Sequence, residues 1–237
     1  MTKKKGESKT PKNRLIESLP SKDRAALLAL CEEADLVFGE VLAEAGQPLR
    51  YAYFPIVGFV SLVSIIEGSP GVEVGMVGSE GMVGAQLALG VQTAPLHSLV
   101  QGGGRAWRIK TADLRRELAR SLALQTALDR YLYVLMAQLA TSAACLRFHE
   151  IGPRLARWLL MSQDRALSDQ FQVTQEFLAY MLGVRRVGVT KAASALQKQD
   201  LVSYRRGDVT IVDRKGLEAA SCSCYAADRR AYSALMR

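Results

Sequence analysis

The strongest periodic signal lies in residues 122–148. Leu128, Leu132, Leu135, Leu139, Ser142 and Leu146 recur at alternating spacings of four and three. That is the 3.5-residue repeat of a helix whose apolar stripe seeks a second helix of its own kind. The pattern predicts one long helix from about Leu122 to Phe148, paired with its twin in a parallel homodimer. The competing reading packs the stripe on the chain's own β domain. Upstream the pattern changes. Residues 36–107 hold short runs of Val, Ile, Phe and Tyr, punctuated by glycines, as in antiparallel strands joined by tight turns in a sandwich or barrel. The clearest pair is Phe59 to Ile66 and Val72 to Val77, around a turn at Glu67-Gly68-Ser69-Pro70-Gly71. Gly102-Gly103-Gly104 marks a further bend before a last strand over Arg105–Ile109. Residues 13–35 read as short helices with Leu27, Leu28 and Leu30 on one face, and Thr111 caps another short helix. Ile151-Gly152-Pro153 breaks the long helix and is the expected hinge.

Residues 173–197, VTQEFLAYMLGVRRVGVTKAASALQ, have the spacing of two short helices around a tight turn. Leu178, Leu182, Val184, Val189 and Ala192 bury a shared face. Ala179 is small where the helices cross, Gly183 suits a left-handed backbone at the turn, and Thr174 and Glu176 suit the first helix's start. This is a helix-turn-helix pattern. The second helix carries Arg185, Arg186, Thr190 and Lys191 on its polar face, residue types that pair with guanine edges or hold phosphates. Gly188, within that helix, costs about 1 kcal/mol relative to alanine; close approach to DNA is the one reason the sequence offers. Immediately downstream, Val202 to Tyr204 and Val209 to Val212 flank Arg205-Arg206-Gly207-Asp208. A hairpin there completes a winged helix, with two arginines at its tip facing a phosphate backbone.

Charge sharpens this. The net +8 is uneven: residues 1–14 carry +5, residues 15–146 carry −3 and residues 147–237 carry +6. The surplus sits in the half with the helix-turn-helix and in the basic tail, as a polyanion partner requires. A runner-up reading, a small-molecule or cyclic-nucleotide signalling module whose winged helix docks a protein, has no need of that surplus. With 237 residues, 49% of them hydrophobic, the chain has apolar mass for two modest cores. Its apolar runs read as too interrupted to cross a membrane, no secretory signal follows the basic start, and four scattered cysteines suggest a reducing cytoplasm.

Helices, a glycine-rich β roll, a long helix, a hinge and a winged helix: this order resembles the bacterial Crp/Fnr family of transcription regulators. The likeness runs from about residue 13 and is most specific in VTQEFLAYMLGVRRVGVTKAASAL and LVSYRRGDVTIVD. It implies an α+β chain: a disordered tail over 1–12, a cyclic-nucleotide-binding-like β-roll (jelly roll) sensor over 13–120, a dimerisation helix over 121–150 and a winged helix-turn-helix over 151–237. It implies base reading by Arg186, Val187 and Lys191. Arg185 and Thr190 join them in the major groove, while Thr174, Gln175, Arg205 and Arg206 hold phosphates. The implied partners are a palindromic double-stranded operator, a second copy of the chain, RNA polymerase and a small-molecule effector. Val187 departs from the acid of the best-known members and cannot accept a hydrogen bond from cytosine, so a different operator is expected.

The sensor half departs further. Cyclic-nucleotide-binding members carry Gly-Glu and then Arg-Ser or Arg-Thr. Here Gly84 is followed by Ala85, and no arginine lies between Gly84 and Gln101. A buried phosphate without a cation is disfavoured, so cyclic AMP is not expected to bind in that way. Cys31 alone near the N-terminus does not support an iron–sulfur sensor. Cys222-Ser223-Cys224 could contribute to a metal or redox site, but the sequence places no Cys/His cluster beside it, so no metal is expected. His97 and His149 read as polar packing rather than haem ligands, and no cofactor is expected. Nothing resembles a catalytic constellation.

Overall fold

In the computed structural model, which describes residues 12–68 and 71–236, two long strands form the spine of the N-terminal half. β3 (Tyr51–Ser64) and β5 (His97–Lys110) pair antiparallel from Tyr51–Lys110 to Val63–His97. β1 (Glu32–Leu36) flanks β5, β4 (Val72–Val77) flanks β3, and β2 (Val41–Ala43) pairs with β5. Two short helices precede the sheet, α1 (Arg14–Glu17) and α2 (Ser21–Ala29). Most of the basic tail, and Ser69-Pro70 of the β3–β4 turn, lie outside the described residues.

Three local expectations change. Residues 32–35 form a strand rather than the end of a helix, because the sheet edge offers them partners: Glu32 pairs with Arg108 (2.8 Å) and Glu33 with Arg105 (3.2 Å) across the strands. Gly102-Gly103-Gly104 does not separate two strands but lies within β5. A Cβ on Gly104 would collide with the Val57 carbonyl, so the glycines allow β3 and β5 to approach there. Thr111 does not cap α3 (Thr111–Leu118); it is the first residue of that helix, and its hydroxyl donates to Leu49 O (2.8 Å).

α4 (Leu122–Phe148) has the predicted bounds, with the Ser121 hydroxyl accepting from Leu124 N at its start. It is long and apolar enough to cross a membrane by length and composition, contrary to the sequence reading. Its inner face, with Leu124, Leu128, Tyr131, Val134, Gln138, Ser142 and Cys145, is buried against the rest of the chain. Gly81 lies where the Tyr131 ring would overlap any Cβ, which seats the helix on the roll. The hinge also shifts. α4 ends at Phe148 and α5 (Ile151–Ala166) starts at Ile151, so the link is His149-Glu150, and Pro153 falls in the first turn of α5, where its missing N–H costs nothing.

The C-terminal half continues with β6 (Gln170–Gln172), α6 (Gln175–Leu182), α7 (Arg186–Lys198), β7 (Val202–Arg205), β8 (Asp208–Ile211), α8 (Arg214–Ala220) and α9 (Cys224–Leu235). The three strands form a small sheet in the order β6-β8-β7. One apolar cluster joins Phe59, Val63 and Met76 of the roll to Trp158 and Leu159 of α5, Leu178 of α6 and Val189 of α7.

Candidate nucleic-acid interface

α6 begins where the Thr174 hydroxyl accepts from Phe177 N (3.1 Å) and ends at Gly183, at φ 60°. Val184 N then donates back to Ala179 O (3.0 Å), closing the turn. Leu178, Ala179, Met181 and Leu182 bury one side of α6, and Val189, Ala192, Ala193 and Leu196 bury the facing side of α7. Each large apolar side chain so buried contributes about 1.5–3 kcal/mol. This leaves Arg186, Val187, Thr190 and Lys191 on the open side of α7, with Arg185 exposed just before it. Val187 is 60% exposed, an apolar group presented to solvent in the middle of a cationic face.

A chain of contacts places the wing beside this face. Gln175 Oε1 accepts from Thr190 Oγ1 (2.6 Å), which ties the start of α6 to the second turn of α7. Thr190 Oγ1 also lies 3.1 Å from Arg186 O. The β7–β8 turn consists of Arg206 (φ 52°) and Gly207 (φ 91°), both left-handed, as a two-residue hairpin turn requires. The open side of Gly207 faces Thr174. The Tyr204 hydroxyl donates to Val173 O (2.6 Å), pinning the wing to the segment entering α6. Burial pushes the Tyr204 phenol up to about 12, against the opposing charge of nearby Arg186. Thr174, Gln175, Thr190, Arg186 and the wing are therefore one continuous surface. Arg185, Arg186, Lys191, Arg205 and Arg206 are all exposed, and none forms an ion pair among the described residues.

The Thr174 hydroxyl is engaged as the α6 cap, as a threonine just before a helical run predicts, and Gln175 is half-buried and bonded to Thr190, so both shape the face as well as bordering it. Tyr204 was missed by the sequence reading; an aromatic residue in a β-rich run carries no sign that its hydroxyl will reach Val173. A Cβ on Gly188 would stand 2.7 Å from Ile151 Cδ1, the far end of a side chain that can turn aside.

The α4 stripe needs correction. Leu128 (0% exposed) and Ser142 (5%) are buried within the chain and unavailable to a partner, because that side of the helix packs on the roll and the C-terminal half. Leu132, Leu135, Leu139 and Leu146 are half-buried. Tyr133 (58%) and Met136 (60%) stand open, with exposed Ala140 and Ala143 on following turns. The open apolar face is thus centred on Met136 and Ala143, bordered by Leu132, Leu139 and Leu146.

In the roll, Gly84 (φ 96°) leads into a 3-10 turn over Ala85–Leu89, and Ala85 and Leu87 are buried with Leu49 and Ala52. The next arginines, Arg105 and Arg108, are engaged by Glu33 and Glu32. His97 opens β5, paired with Val63. Cys222 and Cys224, expected to lack partners, instead lie with Cys145 and His149. The signal was a Cys and a His four apart at the end of α4, but nothing in their spacing pointed to the distant Cys-Ser-Cys.

Residues 153–220 match the Crp-like helix-turn-helix domain family. Among solved structures, FixK2 from Bradyrhizobium japonicum superposes with a TM-score of 0.68 at 14% identity, over 81% of this chain and 98% of that one. The c-di-GMP-responsive global regulator CLP from Xanthomonas campestris gives 0.64 at 19% identity, over 81% and 99%. A CRP-family transcriptional regulator from Thermus thermophilus gives 0.65 at 19% identity, over 79% and 96%. No curated protein sequence matches the chain.

Proposed function

We propose that this chain, which has the Crp/Fnr fold and carries a Crp-like helix-turn-helix domain at residues 153–220, is a sequence-specific DNA-binding transcription regulator that acts as a homodimer. The observation that carries the reading is the continuous cationic surface of Arg185, Arg186, Lys191, Arg205 and Arg206, without ion pairs among the described residues and held together by the Thr190–Gln175 bond and the wing turn. α7 enters the major groove by its N-terminal end, where Arg186, Val187 and Lys191 meet base edges and Arg185 and Thr190 flank them. Val187 touches a thymine methyl. Thr174, Gln175 and the wing arginines lie against phosphates. A twofold pair through the open face of α4 sets two such helices on a palindrome, about 34 Å apart.

The sensor half does not recognise cyclic AMP by the usual cation. The interior beside Ala85–Leu89 is lined by Leu49, Ala52, Ala85 and Leu87, and a buried phosphate there would be costly. Chromosomal DNA as partner puts the protein in the cytoplasm, where RNA polymerase and a small-molecule effector are its further expected partners.

Selection of bound DNA from a random pool by the purified protein yields half-site, spacing and palindromy together. On the selected site, Arg186→Ala costs about 1–3 kcal/mol and relaxes preference at one base position. Arg205→Ala weakens binding to all sequences alike and lowers the slope of affinity against salt. Wild-type affinity and salt slope in both variants would refute the assignment.

A further inference from the structure

Four side chains from two segments distant in sequence converge at the joint between the two halves of the molecule. Cys145 lies in the last turn of α4, and His149, four residues on, caps it. Cys222 lies between α8 and α9, and Cys224 is the first residue of α9. The ligand atoms of all four fall within 4.8 Å of one another. Cys145 Sγ and Cys222 Sγ are 3.5 Å apart, as are Cys224 Sγ and His149 Nδ1. The three cysteines are buried and free, and His149 is half-buried.

We propose that Cys145, His149, Cys222 and Cys224 bind one Zn²⁺ ion in a closed tetrahedral site. With zinc–sulfur bonds of about 2.3 Å, ligands on a tetrahedron sit about 3.8 Å apart. The observed separations are already close to that, so ordinary side-chain adjustment suffices. Thiolates and imidazole suit zinc, whereas magnesium and calcium seek oxygen. Four protein ligands leave no position for substrate, which makes the site structural. Binding displaces the thiol protons, and three thiolates around a dication leave one net negative charge. Two arginines, Arg154 buried and Arg157 half-buried, lie alongside to balance it. Arg154 lines the same small cavity as Cys145 and donates to Leu182 O at the end of α6, and Arg157 donates to Ser142 on α4 and Asp228 on α9 (2.8 Å).

The location gives the ion its role. Two ligands end the long helix, and two belong to the segment that follows the winged helix. Zinc therefore ties the long helix to the C-terminal half across the His149-Glu150 link and fixes how α7 is presented. This last step rests on the reading of α7 as the DNA-contacting helix; the metal assignment does not.

The full-length chain, purified under reducing conditions without added chelator, is assayed for metal by mass spectrometry, and the apo chain is titrated with Co²⁺ and Zn²⁺. One zinc per chain, and a tetrahedral thiolate-rich Co²⁺ spectrum bleached by Zn²⁺, are expected. Cys222→Ser and His149→Ala lose the tight site, while Cys31→Ser, altering a thiol packed elsewhere, keeps it. Should the ligand variants not fold, the wild-type Co²⁺ titration still decides. A chain that takes up no zinc, that holds iron–sulfur chromophores, or that has a Cys145–Cys222 disulfide when prepared under the same reducing conditions overturns the site. Affinity of the holo and apo chains for the selected DNA tests the joint: a loss on the order of 5–150-fold on zinc removal is expected. Equal affinities overturn the joint's role. A zinc-loaded chain that binds no DNA at all overturns the DNA reading and leaves the metal site standing.

Discussion

Arg206 holds a left-handed backbone conformation at φ 52°, followed by Gly207 at φ 91°. A side chain with a Cβ pays about 1 kcal/mol for that geometry, and asparagine tolerates it better, which is why Asn-Gly is the favoured pair in such turns. An arginine at this point trades turn stability for a cation at the wing tip. Arg206→Asn is therefore expected to stabilise the chain by about 0.5–1 kcal/mol in urea unfolding while weakening DNA binding and flattening its salt dependence. A variant that is less stable than wild type would show that the arginine is held by contacts within the protein. The exposed set around it was readable from the sequence because helical period and hairpin alternation decide which side chains face outward. The neighbour of Gly188 was not, since Ile151 is brought up to it only by folding. The Thr174 cap was readable, since a threonine just before a helical run marks an N-cap; the bond between Gln175 and Thr190 was not.

At the level of the element, α4 shows what a heptad count can and cannot resolve. The 4-3 spacing located the helix to the residue, yet the same helix offers a second apolar series one position over. Periodicity does not say which series meets the chain's own roll. The structure assigns Leu128 to the interior and leaves Met136 and Ala143 open. The two sites accordingly separate in experiment. Met136→Glu should leave the fold intact, shift the proposed homodimer to monomer in sedimentation equilibrium, and weaken binding to a palindrome far more than to a half-site. Leu128→Ala should instead lower unfolding stability by about 2–5 kcal/mol, as emptying a buried leucine site does. A dimer unaffected by Met136→Glu would move the interface elsewhere. β1 carries the same lesson: residues 32–35 have helix-friendly composition, and the free edge of β5, which no local pattern reveals, decides their conformation.

Across the whole molecule, the roll and the C-terminal half share one core, and Glu73 of β4 sits at their contact. Its carboxylate takes a hydrogen bond from Ser61 on β3 and faces Trp158, Arg157 and Arg165 of α5. Sequence could not reveal this, because β4 and α5 have their own complete periodic patterns and neither marks the other as its partner. The same holds for the four-residue cluster of cysteines and histidine. Burial raises the Glu73 carboxyl from 4.5 to about 7, although Ser61, Trp158 and the two arginines pull the other way. The folded chain thus keeps a proton that the unfolded chain gives up. The resulting stabilisation is complete below the ordinary carboxylate range and is lost as pH rises through about 7. Wild-type stability should fall between pH 6 and 8 by about 1 kcal/mol, or about 2–4 °C in melting temperature. Glu73→Gln, neutral throughout, should abolish that slope and melt higher than wild type at pH 8. Parallel pH profiles for the two proteins would mean that the arginines of α5 hold the carboxylate ionised, and that the contact between roll and α5 is pH-insensitive.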